Sequence, residues 1–136
     1  MASLLVNIDV DDLPRAVDFY VRAFDLRVGR RFGDGAVELL DAEAPIYLLA
    51  KPAGSPPFAG AAAGRDYARH WTPVHLDFVV DDLDAAIYRA EAAGAVREAG
   101  ISTQPWGRIA IFRDPFGHGF CLLAFTGRGY DEIATP

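Results

Sequence analysis

One motif occurs twice in the chain, and this repeat constrains the fold more than any other feature. Residues 5–13 read Leu-Val-Asn-Ile-Asp-Val-Asp-Asp-Leu, and residues 75–83 read His-Leu-Asp-Phe-Val-Val-Asp-Asp-Leu. Aligning the two Asp-Asp-Leu ends brings apolar residues together at alternate positions, as in a strand with one buried face. The second aspartate of each end is placed to cap a following helix. The repeat therefore predicts two copies of one unit, with the chemistry where the copies face each other.

Each copy is predicted to contain a strand, a helix and three further strands. In the first copy the strands are predicted near residues 4–10, 27–32, 36–41 and 46–50, and the helix follows Asp12 and ends near Phe24-Asp25. In the second copy a strand begins near Thr72, a helix covers Leu83 to Ala93 before Gly94, and strands lie near residues 96–99, 107–113 and 119–124. Glycine after a helix favours a left-handed stop. Asp114-Pro115-Phe116-Gly117 is typical of a turn.

These elements divide the chain into four segments. The first module covers residues 1–50, a linker 51–71, the second module 72–126 and a tail, predicted to be mobile, 127–136. The linker is rich in proline and glycine, and we interpret it as an exposed connection in preference to a loop over a pocket.

Composition narrows the class of protein. Half of the 136 residues are hydrophobic, which supports a substantial core, but there is no apolar run near the ~18 residues that a membrane span needs. Nor is there a secretory signal pattern. Cys121 is the only cysteine, so a disulfide framework is excluded, which fits a cytoplasmic location. The net charge of −6 and the scattered basic residues disfavour nucleic-acid binding.

Three motifs in order carry a family resemblance. They are the helix start Val10-Asp11-Asp12-Leu13, its repeat at residues 80–83, and Pro105-Trp106-Gly107-Arg108 followed by Asp114-Pro115-Phe116-Gly117-His118. Together they resemble, over residues 3–125, the vicinal oxygen chelate superfamily of glyoxalase I, extradiol dioxygenases, fosfomycin-resistance enzymes and bleomycin-resistance proteins. The resemblance implies an α+β fold in which two βαβββ modules form a cupped mixed sheet with the helices outside. It also implies a homodimer.

The resemblance further implies four positions at which metal-dependent members hold His or Glu ligands. In this chain they carry Leu5, Tyr47, His75 and Cys121, and only His75 is a standard ligand. We therefore expect no metal cofactor, although a divalent ion is not excluded. His75 is either a ligand, with Cys121 and one of Tyr47 or Asp77 as its partners, or a structural or substrate-binding histidine held by Asp77 or Tyr47.

Strand parity predicts which side chains line the cup, because successive side chains of a strand point to opposite faces. Seven predicted ligand-binding residues lie on the cup side of the strands: Leu5, Asn7, Asp9, Tyr47, His75, Asp77 and Cys121. Two more are predicted at the rim of the cup, Trp106 and Arg108. His70 and Trp71, at the end of the linker, could border the cup. No catalytic residue is assigned.

Two classes of function follow from these residues and the resemblance. The first is a metal-free binding protein of the bleomycin-resistance kind, which takes a small organic molecule in its cup. A planar or cationic ligand is expected, with Asp9 and Asp77 supplying the electrostatic attraction. The alternative is a divergent enzyme of the superfamily, of the lyase/isomerase or the dioxygenase type.

Overall fold

The computed structural model describes residues 1–136, which form two compact units, Met1–Ala68 and Arg69–Pro136. The first unit contains β1 (Val6–Val10), α1 (Leu13–Phe24), β2 (Arg27–Phe32), β3 (Ala36–Leu40) and β4 (Ile46–Ala50). Its sheet has the order β1-β4-β3-β2, in which β1 and β4 are parallel and the other pairs are antiparallel. This is the βαβββ module that the sequence predicts.

The second unit repeats this arrangement with one more short strand. It contains β5 (Leu76–Val79), α2 (Leu83–Ala93), β6 (Val96–Arg97), β7 (Ser102–Gln104), β8 (Gly107–Arg113) and β9 (Gly119–Phe125). The sheet order is β5-β9-β8-β6, and β7 pairs with β8. The α+β fold with two modules is confirmed, whereas β7 was not predicted because three polar residues carry no apolar alternation.

Both helices begin after the predicted aspartate caps, and α2 ends at the predicted glycine. The Asp12 carboxylate accepts the Arg15 backbone N–H at 3.1 Å, and the Asp82 carboxylate accepts the Ala85 backbone N–H at 3.0 Å. α2 stops at Gly94, whose φ of 117° is unfavourable for a residue with a side chain. No helix in the chain is long and apolar enough to cross a membrane.

Burial on β1 confirms the predicted strand parity. Ile8 and Val10 are in the core of the first unit, whereas Asn7 between them is exposed. In the second unit Asp77 is exposed and its neighbours Leu76 and Phe78 are more buried. The polar members of both strands therefore lie on the face opposite the helix. We call this helix-free side of each sheet its open face.

The turn between β8 and β9 is built around a buried carboxylate. Asp114 is 3% exposed, and its Oδ1 accepts the backbone N–H groups of Phe116 and His118 at 2.8 and 2.9 Å. Gly117 has a φ of 86°, which the predicted turn requires. The turn holds the start of β9 in register with the end of β8.

Part of the segment that we predicted as a tail forms a short helical turn. A 3₁₀ helix spans Gly129–Glu132, and Tyr130 packs against Phe125 and Trp106 with ring centroids 4.7 and 5.2 Å apart. The tail prediction missed this turn because Trp106 and Tyr130 are far apart in the sequence, and aromatic contacts of this kind are set by packing.

Candidate functional site

The ladder of the second sheet places Asp77 beside the last strand. Asp77 on β5 pairs with Cys121 on β9, and Cys121 pairs in turn with Ile111 on β8. His75 lies two residues before Asp77 and directly precedes β5. The ladder thus brings together His75, Asp77 and Cys121, three residues that the sequence predicted for one face.

Asp77 bridges the other two members of this cluster. The ligand atoms of all three residues lie within 4.8 Å of one another, and His75 Nε2 is 3.3 Å from Asp77 Oδ1. The Cys121 thiol donates a hydrogen bond to the Asp77 carboxylate. Burial, and then the charge and the hydrogen bond of Asp77, raise the pKa of Cys121 from 9.0 to about 12. The thiol is therefore protonated at neutral pH and is a poor nucleophile.

An aromatic ring covers one side of His75. Trp71 stacks on the imidazole with ring centroids 4.5 Å apart and an interplanar angle of 18°. The indole fits because Gly119, at the start of β9, has no side chain; a Cβ there would overlap the indole ring. Arg69 lies over the indole and forms an ion pair with Glu98. Trp71 therefore forms a wall beside the cluster.

The segment that carries Trp71 is tied to the β8–β9 turn. The His70 backbone N–H donates to the Gly117 carbonyl at 2.9 Å, and the Gly119 N–H donates to the His70 carbonyl at 3.0 Å. The two imidazoles also meet, with His118 Nδ1 2.9 Å from His70 Nε2. These contacts fix the backbone at His70, directly before Trp71, so the wall beside His75 is anchored by main-chain bonds.

A second polar network occupies the open face of the first sheet. Tyr47 pairs with Asn7 on one side and with Glu38 on the other, and its hydroxyl donates to Glu38 at 2.8 Å. Arg30 donates to both carboxylate oxygens of Glu38, at 3.1 and 2.6 Å. The side-chain hydrogen bonds of Arg30, then its backbone N–H and then Tyr47, lower the pKa of Glu38 from 4.5 to about 2. Glu38 is thus a firmly ionised group and not a general base for neutral pH.

Sequence reasoning missed Glu38 and Arg30. The available indication was one acidic residue between the apolar Val37 and Leu39 on a strand that is otherwise buried. A buried acid requires a partner, but the sequence offers many arginines, and only the pairing of β2 with β3 selects Arg30.

Asp9, predicted to attract a ligand, already has an internal cationic partner. Arg65 Nε lies 2.6 Å from Asp9 Oδ2, and the arginine side chain is only 15% exposed. The same guanidinium donates to Ser55 Oγ and to the Pro56 carbonyl, within the linker. The linker is therefore folded against the first sheet through Arg65, and the Asp9 charge is neutralised within the protein.

The two predicted rim residues do not join the His75 cluster. Arg108 Nη2 is 3.2 Å from Asp84 on α2, which places the guanidinium on the helix side of the second sheet. The Trp106 ring contacts Phe125 and Tyr130. Leu5, in the first unit, precedes β1 and is 56% exposed.

The donor atoms at the four family positions do not fit the metal site that the superfamily implies. Leu5 offers no donor, and the Tyr47 hydroxyl is engaged by Glu38 and Arg30. His75 and Cys121 both lie beside Asp77. A metal ion that used Cys121 would have to displace the proton of a thiol whose pKa is raised to about 12. One imidazole, one carboxylate and one protonated thiol make a poor set for a hard divalent ion.

Comparison with known proteins agrees with the motifs and the fold. The family model of the glyoxalase-like domain matches residues 5–123. The protein Mb0911c of Mycobacterium bovis is 35% identical over 125 residues, which cover 88% of this chain and 81% of that protein.

Two solved structures share the fold. The fosfomycin resistance protein FosX of Listeria monocytogenes superposes with a TM-score of 0.72 at 20% identity, covering 97% of this chain and 95% of that one. TioX of Micromonospora sp. ML1 superposes with a TM-score of 0.70 at 24% identity, covering 93% of this chain and 100% of that one. With the repeated module, these matches show that the chain belongs to the glyoxalase-like family of the vicinal oxygen chelate superfamily.

Proposed function

We propose that the protein binds a small organic molecule on the open face of its second sheet, over His75, Asp77 and Cys121, without a metal ion. The observation that carries this proposal is the convergence of three polar side chains beside apolar side chains on this face. Val79, 58% exposed, and Ile111 flank the cluster on this face. A polar centre within an apolar surface suits a small organic ligand, because apolar contact supplies affinity and a few polar groups supply orientation.

The open face of the first sheet carries other residues of the expected ligand-binding set. Asn7 and Tyr47 are cross-strand partners on its open face, and Leu5 adds exposed apolar surface at the end of β1. Asp9 contributes less than the sequence suggested, because Arg65 offsets its charge. The protein is then a binding protein of the bleomycin-resistance kind, which sequesters or carries its ligand.

The proposal is tested by a thermal-shift screen of small aromatic and cationic compounds against the wild type and His75→Ala. A ligand that binds only the folded state raises the melting temperature. We expect hits that survive addition of a chelator and are weakened in His75→Ala. Elemental analysis, after purification without a nickel column, should find substoichiometric metal. Stoichiometric metal that is lost in His75→Ala would contradict the metal-free proposal.

The assembly is part of the proposal. We propose a homodimer, as the family resemblance implies, acting in the cytoplasm on a small molecule and not on nucleic acid or a membrane. Light scattering coupled to size exclusion would give twice the monomer mass. A monomeric mass at micromolar concentration would refute the dimer without bearing on the ligand site.

One observation favours a divergent enzyme of the lyase/isomerase type as the second candidate. The His75 imidazole is oriented by the Asp77 carboxylate through one nitrogen, and its other nitrogen is not bonded within the protein. This is the arrangement of a histidine that transfers protons. Exchange of an activated C–H proton with deuterated solvent, catalysed by the wild type but not by His75→Ala, would support this candidate over simple binding.

A further inference from the structure

Asp77 differs from the acids on the open face of the first sheet in having no cationic partner. Asp9 is paired with Arg65 and Glu38 with Arg30. The contacts of the Asp77 carboxylate are His75 and the Cys121 thiol, and its side chain is 36% exposed. A carboxylate with no cation beside it attracts a cationic group more strongly than a carboxylate that an arginine already neutralises. A ligand with positive charge would supply the missing cation.

The hydrogen-bond directions within the cluster add a second constraint. An ionised carboxylate only accepts, so the protons shared with Asp77 come from the Cys121 thiol and from His75 Nε2. In the neutral imidazole this leaves a lone pair on Nδ1. Trp71 covers one face of the ring without engaging this nitrogen in a hydrogen bond. The cluster therefore presents acceptors to a ligand and no free donor.

We infer that the cluster selects organic molecules bearing a cationic N–H group, such as an amidinium or ammonium, and discriminates against organic anions. This inference rests on the proposed function and names the chemical class of its ligand. A carboxylate or phosphonate would meet a negative charge and two acceptors. The nearby arginine of the wall, Arg69, is engaged by Glu98 and the His70 carbonyl and is not available to an anion.

Three planar probes of nearly equal shape test the inference: benzamidine, benzamide and benzoate. Their dissociation constants are measured by NMR titration of the wild type, Asp77→Asn and Asp81→Asn. Asp81 is an exposed acid after β5 with no part in the cluster, so its variant changes the net charge equally. We expect benzamidine to bind the wild type about tenfold more tightly than benzoate. This ratio should collapse in Asp77→Asn and persist in Asp81→Asn.

A second measurement uses the wild type alone and so does not depend on whether a variant folds. Long-range ¹H–¹⁵N spectra of the free wild type should show the neutral His75 ring protonated at Nε2, and benzamidine should shift the Nδ1 resonance. Binding of all three probes with equal affinity, lost in His75→Ala, would leave the proposed function standing and overturn the inference. Tighter binding of benzoate, or an Nδ1–H tautomer, would also overturn it. If no probe binds, both proposals fall.

Discussion

The protonation of Cys121 can be tested directly, because it is the only thiol in the chain. With a pKa of about 12, against 9.0 for an unperturbed thiol, the thiolate fraction at pH 8 falls from about one tenth to about one ten-thousandth. Alkylation by iodoacetamide should therefore be about a thousandfold slower in the native protein than in urea. The rate should also keep rising tenfold per pH unit beyond pH 10, whereas the denatured chain levels off near pH 9.

Replacement of Asp77 by Asn separates the causes of this slow reaction. The variant removes the carboxylate charge but leaves the burial of the sulfur, which is the largest cause of the shift. Alkylation should therefore accelerate, but by less than the full factor of a thousand, and Asp81→Asn should have no such effect. The reasoning is refuted if the native wild type reacts within tenfold of the urea-denatured protein, or if Asp77→Asn and Asp81→Asn react alike.

Three further predictions concern the elements that support the open faces. Asp114→Ala leaves two backbone N–H groups without an acceptor and should reduce the free energy of unfolding by about 2–4 kcal/mol in urea titrations. Asp114→Asn keeps an acceptor oxygen and should reduce the free energy of unfolding by less. Gly119→Ala should displace Trp71, change its fluorescence and cost about 1–3 kcal/mol, whereas Gly100→Ala, in open space, should be nearly neutral. The folded-state pKa of Glu38 is depressed, so its contribution to stability is present above pH 4.5 and lost as pH falls towards 2; the stability difference between the wild type and Glu38→Gln should shrink over that window.

Local chemistry explains why the helix and strand positions were predictable. The caps Asp12 and Asp82 act within three residues of themselves, and Gly94 acts on its own backbone. Alternation along β1 requires only a buried and an open face, so Asn7 could be assigned to the open side before any packing was known. The two-module fold then followed from finding the same local pattern twice.

The partner of each polar side chain was decided by tertiary structure. The sequence placed Asp9 and Asp77 on open faces, but it did not reveal that Arg65 neutralises the first, because these residues are 56 positions apart. Nor did it reveal that Arg108 pairs with Asp84 of α2 and not with the cup.

Sequence alone determined the repeat, the helix limits and the faces of the strands, since these depend on neighbours within one turn or one pleat. Tertiary structure decided that Asp77 joins His75 to Cys121 and that Trp71 covers the imidazole. The physical reason is that strand register and the small size of Gly119 select these contacts from many that the composition allows. The polar residues of the candidate site could therefore be predicted from the sequence, whereas the pairing of their charges was set only by the tertiary structure.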